Sequence, residues 1–282
     1  MKGKQVLILG ANGQLGSALQ ILFPSAIKTD SDELDITSQK QVDSYDWSNV
    51  GVILNAAAYT AVDGAETPEG RIVAWNVNAV AVGNLARVAT IHDTTLVHVS
   101  SDYVFNGTAA IHTEEESFAP LGVYAQTKAA GDIAAATNPK HYIVRTSWVV
   151  GDGNNFVRTM KALAEKGVKP SVVNDQIGRL TFAGTLAASV QHLLATNAPF
   201  GTYNVTNDGE PGSWADIARL VYAQTGASSD DVTGVTTTDY YQGKENIAPR
   251  PLQSTLDLKK IKSTGFAPTN WRAELKTYLE QL

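Results

Sequence analysis

The sequence predicts a doubly wound α/β protein: a Rossmann-type parallel sheet with a smaller C-terminal α/β domain for the substrate. Three observations predict it. Short apolar runs alternate with longer stretches of helical period, a glycine-rich turn closes the first run, and the alternation changes character near Val150. Runs that are apolar throughout, rather than on alternate positions, suit strands covered on both faces.

Taken in order, the clearest strands lie at 5–9, 52–55, 96–100 and 142–146. Between them, 14–22, 70–89 and 124–136 repeat Ala, Leu and Val at three- and four-residue spacing, the period of crossover helices. Beyond Val150 come glycine- and asparagine-rich turns, short strands at 171–173 and 202–205, and helices at 155–166, 182–195, 213–225 and 271–281. The domains are therefore placed at 1–150, binding a dinucleotide, and 151–282, binding substrate. Exchange of a strand and a helix across the boundary is left open. The polar segment 228–244 has no clear period and reads as a loop, and Glu114, Glu115 and Glu116 read as a solvated face.

Composition excludes several classes. With no cysteine, thiolate nucleophiles, disulfide scaffolds and cysteine-ligated metals are removed together. A net charge of −6 without a Lys/Arg block argues against nucleic acid and anionic membrane as partners. The first apolar run, almost at Met1, is far too short for a signal core or a span, so the expected location is the cytoplasm. His92, His98, His112, His141 and His192 show no paired spacing, and no metal is expected. His98, inside a strand, reads as an interior or cofactor-adjacent residue.

Gly10-Ala11-Asn12-Gly13-Gln14-Leu15-Gly16 follows a strand and opens a helix, the context in which a glycine pattern marks a dinucleotide site. Gly10 serves the tight turn, Gly13 the approach of the pyrophosphate, and Gly16 close packing of helix on strand. The phosphates then meet the helix N-terminus. Asp30 stands where an acid commonly binds the adenosine ribose, which leans toward NADH over NADPH. It also fits an ordinary acidic turn with Asp32 and Glu33. Asp35 and Ile36 are the next candidates, on the adenine side.

Tyr124 and Lys128 share one face of a helix at i and i+4. A lysine so placed can lower the phenol pKa and grip the nicotinamide ribose, while the tyrosine exchanges a proton with a carbonyl oxygen. Such pairs also arise by chance, and a second, Tyr240 and Lys244, occurs in the polar segment. Only the first is preceded by a strand-end hydroxyl, Ser101, which faces the crevice where parallel sheets bind ligands.

Together these residues resemble the extended short-chain dehydrogenase/reductase superfamily and, within it, the family of dTDP-4-dehydrorhamnose reductases. The phrases that carry the resemblance are the turn at 10–16, NAAAYTAVD at 55–63, SSDYVF at 100–105, Tyr124 with Lys128, RTSW at 145–148, NNFVRTM at 154–160, NDQIG at 174–178 and Arg250-Pro251. They span nearly the whole chain. The resemblance implies reduction by NADH or NADPH of the 4-keto group of a dTDP-linked dehydrorhamnose, in deoxysugar and cell-surface polysaccharide biosynthesis. Ser101, Tyr124 and Lys128 would be catalytic. Ser101 stands where the family usually has threonine, and keeps the hydroxyl.

By the same resemblance Ala56, Ala57, Ala58 and Thr60 would lie against the cofactor, and Asn78 would support Lys128. Tyr103 and Trp148 would line the nucleotide-sugar pocket, with Asn155, Gln176 and Arg250 as substrate-side candidates and Arg179 as a second anion contact. Leu180 replaces a frequent proline. A monomer or homodimer is expected. Another nucleotide-sugar reductase or epimerase, or a non-catalytic nucleotide-binding relative, would share these motifs; the intact Ser101, Tyr124 and Lys128 favour catalysis.

Overall fold

The structure is a computed structural model and describes residues 4–282; Met1 to Gly3, which precede the first strand, lie outside the described residues. The first half runs β1 (Gln5–Leu9), α1 (Gln14–Leu22), β2 (Ile27–Thr29), α2 (Gln39–Ser44), β3 (Val50–Asn55), α3 (Pro68–Trp75), α4 (Ala81–Ile91), β4 (Thr95–Ser101), α5 (Val123–Ala135) and β5 (His141–Thr146). The second half runs β6 (Val149–Val150), α6 (Phe156–Glu165), β7 (Ser171–Val173), β8 (Ile177–Gly178), β9 (Thr181–Phe182), α7 (Ala183–Ala195), β10 (Gly201–Asn204), β11 (Gly212–Ser213), α8 (Trp214–Gln224), β12 (Thr233–Val235), α9 (Thr237–Tyr241), α10 (Lys259–Ser263) and α11 (Trp271–Glu280).

The central sheet has the order β10-β5-β4-β3-β1-β2, with every pair parallel. Its strands are buried on both faces, which explains their unbroken apolar runs. Ile8, Leu54, Val97 and Val144 pack on one side with α1 and α7; Leu7, Leu9, Ile53 and Leu96 pack on the other with α4. The order reverses between β1 and β3, so a crevice opens at their carboxyl ends.

The division at residue 150 is not clean. β10 returns to pair with β5, and α7 lies on α1, so one strand and one helix of the second half complete the central sheet. A separate core, built around Leu180, Phe182, Ile217, Tyr222 and Trp271, holds the remainder together. Leu180, in the proline position, is fully buried there.

The helix read at 70–89 is continuous over Pro68–Ile91 but contains a π turn at Asn76–Val80. It is long and apolar enough to cross a membrane, yet Val82, Leu85, Val88 and Ala89 are buried against the sheet. Two loop readings need correction. Within 228–244, β12 pairs with β7 and α9 is capped by Thr236; these pieces are too short to show a period. Glu114 is not simply solvated, because its carboxylate accepts from the Asn204 amide at 2.9 Å and anchors β10, while Glu116 bonds His112 at 2.8 Å.

Candidate active site

The glycine turn occupies the crevice where the strand order reverses. Gly10 has φ +71°, and a Cβ there would lie 2.7 Å from the Ala57 nitrogen. A Cβ on Gly16 would run into the Gly10 carbonyl, so both positions are fixed by backbone crowding. Gly13 differs. Its Cβ would meet only the Gly10 oxygen, at 3.4 Å, so a missing side chain here leaves a cradle rather than relieving a clash. Helix α1 starts at this cradle with no side-chain cap and no acidic residue in its first turn, leaving its amides and dipole for an anion.

A 290 Å³ cavity extends from Gly10 and Gly13 past Ala56, Ala57 and Ala58 to Asp30, Asp35 and Ile36. Asp30 lines this cavity and is also tied into its own turn. One carboxylate oxygen accepts from the Asn12 amide at 3.1 Å and the other from Ser31 at 2.8 Å, while the residue itself lines the cavity. The donors, the cradle and the flat alanine wall fit a dinucleotide.

A second cavity of 640 Å³ shares Gly13, Ala56 and Ala58 with the first and collects Asn12, Gln14, Leu15, Thr60, Ser101, Asp102, Tyr103, Tyr124, Lys128 and Trp148. Ser101 ends β4; its hydroxyl accepts from the Tyr103 amide at 3.2 Å and donates to Asp102 at 3.0 Å. Tyr124 and Lys128 reach the same cavity from α5. Burial pushes the Tyr124 phenol well above its ordinary value, and the Asp102 carboxyl adds to the shift. Lys128 Nζ donates to the Val99 carbonyl at 2.7 Å, and burial brings its pKa down to about 8. The opposing pull on the phenol comes from the Ser101 hydroxyl rather than from the expected Lys128 charge, and burial outweighs it. Tyr124 is held as a neutral acid.

Behind Lys128 lies a buried ionic group. Asp132, one turn further along α5, pairs with Arg145 at 2.9 Å; burial raises its carboxyl and Arg145 opposes the rise. His98, bonded to the Asn55 side chain at 3.2 Å, is kept neutral by burial first and by the Lys128 charge second. No direct hydrogen bond joins Asn78 to Lys128 among the described residues. Shifted inward in the π turn, it exchanges hydrogen bonds with the backbone of Tyr59 at 2.9 and 3.0 Å and donates to Thr127 at 3.1 Å. It therefore ties the alanine loop to α5.

The walls are aromatic. Tyr103 meets Tyr124 edge-on, with centroids 5.5 Å apart. Trp148 has φ +47°, a conformation costly for a bulky residue, and stacks on Trp214 at 3.9 Å. The stack holds the strained turn in place.

Three substrate-side expectations meet other duties. Asn155 caps α6, accepting from Arg158, and donates to Gly151 and Tyr278. Gln176 is buried and donates to Thr237 at 3.0 Å. Arg179 is spent on the carbonyls of Gly209 and Leu256. Arg250, paired with Asp63 at 2.7 Å, stays beside Tyr103 and Tyr241. Lys244 covers the Tyr240 ring at 3.9 Å, so the second Tyr/Lys pair is a cation–π contact near the surface. Among the described residues no acidic or histidine cluster could hold a metal.

Sequence reading missed Asp102 and Trp214. Asp102 carried a signal: it is the one charged residue in a run otherwise apolar or hydroxylic, which marks a buried carboxyl. Trp214 carried none, since its partner lies 66 positions away.

The family model described as RmlD substrate binding domain matches residues 4–282. The chain belongs to this family. Within it, the chain is similar to dTDP-4-dehydrorhamnose reductase of Aggregatibacter actinomycetemcomitans, 38% identical and covering 96% of this chain and 97% of that protein. A spore coat polysaccharide biosynthesis protein of Bacillus subtilis is 34% identical over 98% of this chain and 97% of its own length. Among solved structures, the dTDP-4-dehydrorhamnose reductase of Bacillus anthracis in complex with NADP is 33% identical, covers 99% of each chain and superposes with a TM-score of 0.90. The RmlD family model thus runs through the glycine turn, helix α5 and the aromatic walls alike.

Proposed function

We propose that this chain is an NAD(P)H-dependent reductase that converts the 4-keto group of dTDP-4-dehydro-β-L-rhamnose to the alcohol of dTDP-L-rhamnose. The observation that carries the reading is the convergence of Ser101, Tyr124 and Lys128 on one cavity that runs into the Gly10–Gly13 cradle. The family's reductases and the polysaccharide-biosynthesis relative support the sugar assignment.

When bound, the dinucleotide supplies a hydride to the carbonyl carbon. Tyr124 gives its phenolic proton to the carbonyl oxygen, a transfer for which a neutral, buried phenol is already in the required form. Ser101 donates a hydrogen bond to the same oxygen as negative charge develops. Lys128, fixed by the Val99 carbonyl, faces the cavity from the next turn of α5 and supplies positive charge near the ribose and the phenol. Tyr103, Trp148 and Trp214 form apolar surface for the nucleotide sugar and keep water from the reacting centre. Arg250, bound by Asp63 beside Tyr103, is the cation placed to receive the diphosphate. The reading carries with it a cytoplasmic enzyme, monomeric or homodimeric, acting on a small molecule.

The test is loss of reduced-nicotinamide absorbance with dTDP-4-dehydrorhamnose generated in place, comparing NADH with NADPH and wild type with Tyr124→Phe. Tyr124-dependent oxidation is expected. Oxidation equal in the variant, or none in either protein, overturns the reading.

A further inference from the structure

The Ser101 hydroxyl has one proton, and it is committed. Its oxygen accepts from the Tyr103 amide and its proton points to Asp102, so in this arrangement it has none to offer a substrate carbonyl. Asp102 is itself unusual. It is 2% exposed, lines the catalytic cavity, and has one carboxyl oxygen, Oδ2, without a hydrogen-bond partner among the described residues. The Ser254 hydroxyl stands beside the carboxyl and favours its ionised form, although that oxygen is left without a partner of good hydrogen-bond geometry. A carboxylate buried with an unpaired oxygen is expensive, and a negative charge next to a carbonyl oxygen gaining charge opposes the reaction.

We propose that Asp102 works as a neutral carboxylic acid in the reacting complex, donating to Ser101 so that the Ser101 proton turns to the substrate oxygen. The relay runs from Asp102 through Ser101 to the carbonyl, and no bond to carbon is made or broken in it. It deepens the reductase reading and rests on it. Asp102 is a positioning residue, because it acts on the reacting oxygen through Ser101. Burial raises its carboxyl to about 6 even in this open cavity. The groups facing it divide in sign: Ser254, Ser101 and the His112 ring favour the ionised form, while the phenol of Tyr124 across the cavity is destabilised as an anion by Asp102. His112 is itself bonded to Glu116 and the Gln253 carbonyl. A neutral carboxyl held in an apolar site to donate toward an oxyanion has precedent in enzyme chemistry.

The experiment is the turnover of wild type and Asp102→Asn with dTDP-4-dehydrorhamnose at saturating reduced dinucleotide, across the pH range spanning the Asp102 ionisation. Wild-type turnover is expected to fall about tenfold per pH unit above that ionisation. The variant, whose amide donates to Ser101 at any pH, loses the limb and overtakes wild type on its alkaline side. The proposal is overturned if the variant keeps the limb, if wild type shows none, or if the folded variant loses about a hundredfold at every pH while retaining dinucleotide affinity. Should Asp102→Asn fail to fold, the infrared difference spectrum of wild type on forming the complex with dinucleotide and dTDP-L-rhamnose decides. A new neutral-carboxyl stretch supports the relay, and its absence overturns it. Wild type that oxidises no cofactor overturns the reductase reading and the relay together; oxidation with a persistent limb in the variant overturns the relay alone.

Discussion

Lys128 donates its ammonium proton to the carbonyl oxygen of Val99 at 2.7 Å, two residues before the hydroxyl of Ser101. Helix α5 and strand β4 are therefore pinned to each other at the point where their functional groups must meet. The bond also fixes a buried charge, and burial lowers the pKa of that charge to about 8.

A pH dependence of cofactor binding follows. The ammonium is charged below about pH 8 and neutral above it, so dinucleotide affinity, measured by fluorescence titration without substrate, is expected to weaken as pH rises through that value. In Lys128→Arg, whose guanidinium stays charged, the loss disappears from this range even though affinity is lower overall. An unchanged midpoint in the arginine variant would exclude Lys128 as its source.

Replacing Tyr124 by phenylalanine removes the proton donor and little else, because the ring keeps its edge-on contact with Tyr103. Turnover is expected to fall by about 10² to 10⁴. Dinucleotide affinity, followed in the same titration, should stay within about twofold of wild type.

The glycines separate fold from binding. Gly16→Ala forces a methyl into the Gly10 carbonyl and is expected to lower the melting temperature sharply. Gly13→Ala meets only an ordinary contact at 3.4 Å and should melt close to wild type, yet its methyl occupies the cradle and raises the KM for the dinucleotide. Equal melting temperatures for the two variants would contradict this assignment.

Asp132 and Arg145 are both almost fully buried and bonded at 2.9 Å. Removing one partner strands the other, so Asp132→Asn is expected to cost about 3–5 kcal/mol in urea unfolding. Restoring stability by a second change, Arg145→Met, would show that the cost lies in the orphaned charge.

What the sequence disclosed was local. Gly10, Gly13 and Gly16, or Tyr124 and Lys128, lie within one turn or two of each other, and their spacing already determines which face they share. Helix α1 runs over Gln14–Leu22, as its period indicates. Asn78 shows where locality ends: a helix through 70–89 was legible, but the π turn that rotates Asn78 toward Tyr59 and Thr127 depends on loops distant in sequence. The resemblance offers Asn155 and Gln176 as substrate-side groups; the structure adds that Asn155 caps a helix N-terminus and Gln176 bonds the Thr237 hydroxyl, duties that depend on contacts outside any local window. The Trp148–Trp214 stack and the Glu114 anchor on β10 join segments that no single window contains.

The return of β10 to the sheet also sets an order of events at the ribosome. β5 ends at Thr146, but the strand that covers its outer edge begins only at Gly201. While the intervening chain is being synthesised, the first five strands present an open, hydrogen-bonding edge and the apolar surface that α7 will cover. A nascent chain stalled in that interval is a template for aggregation, so residues 201–204 act as the closure that ends the vulnerable period.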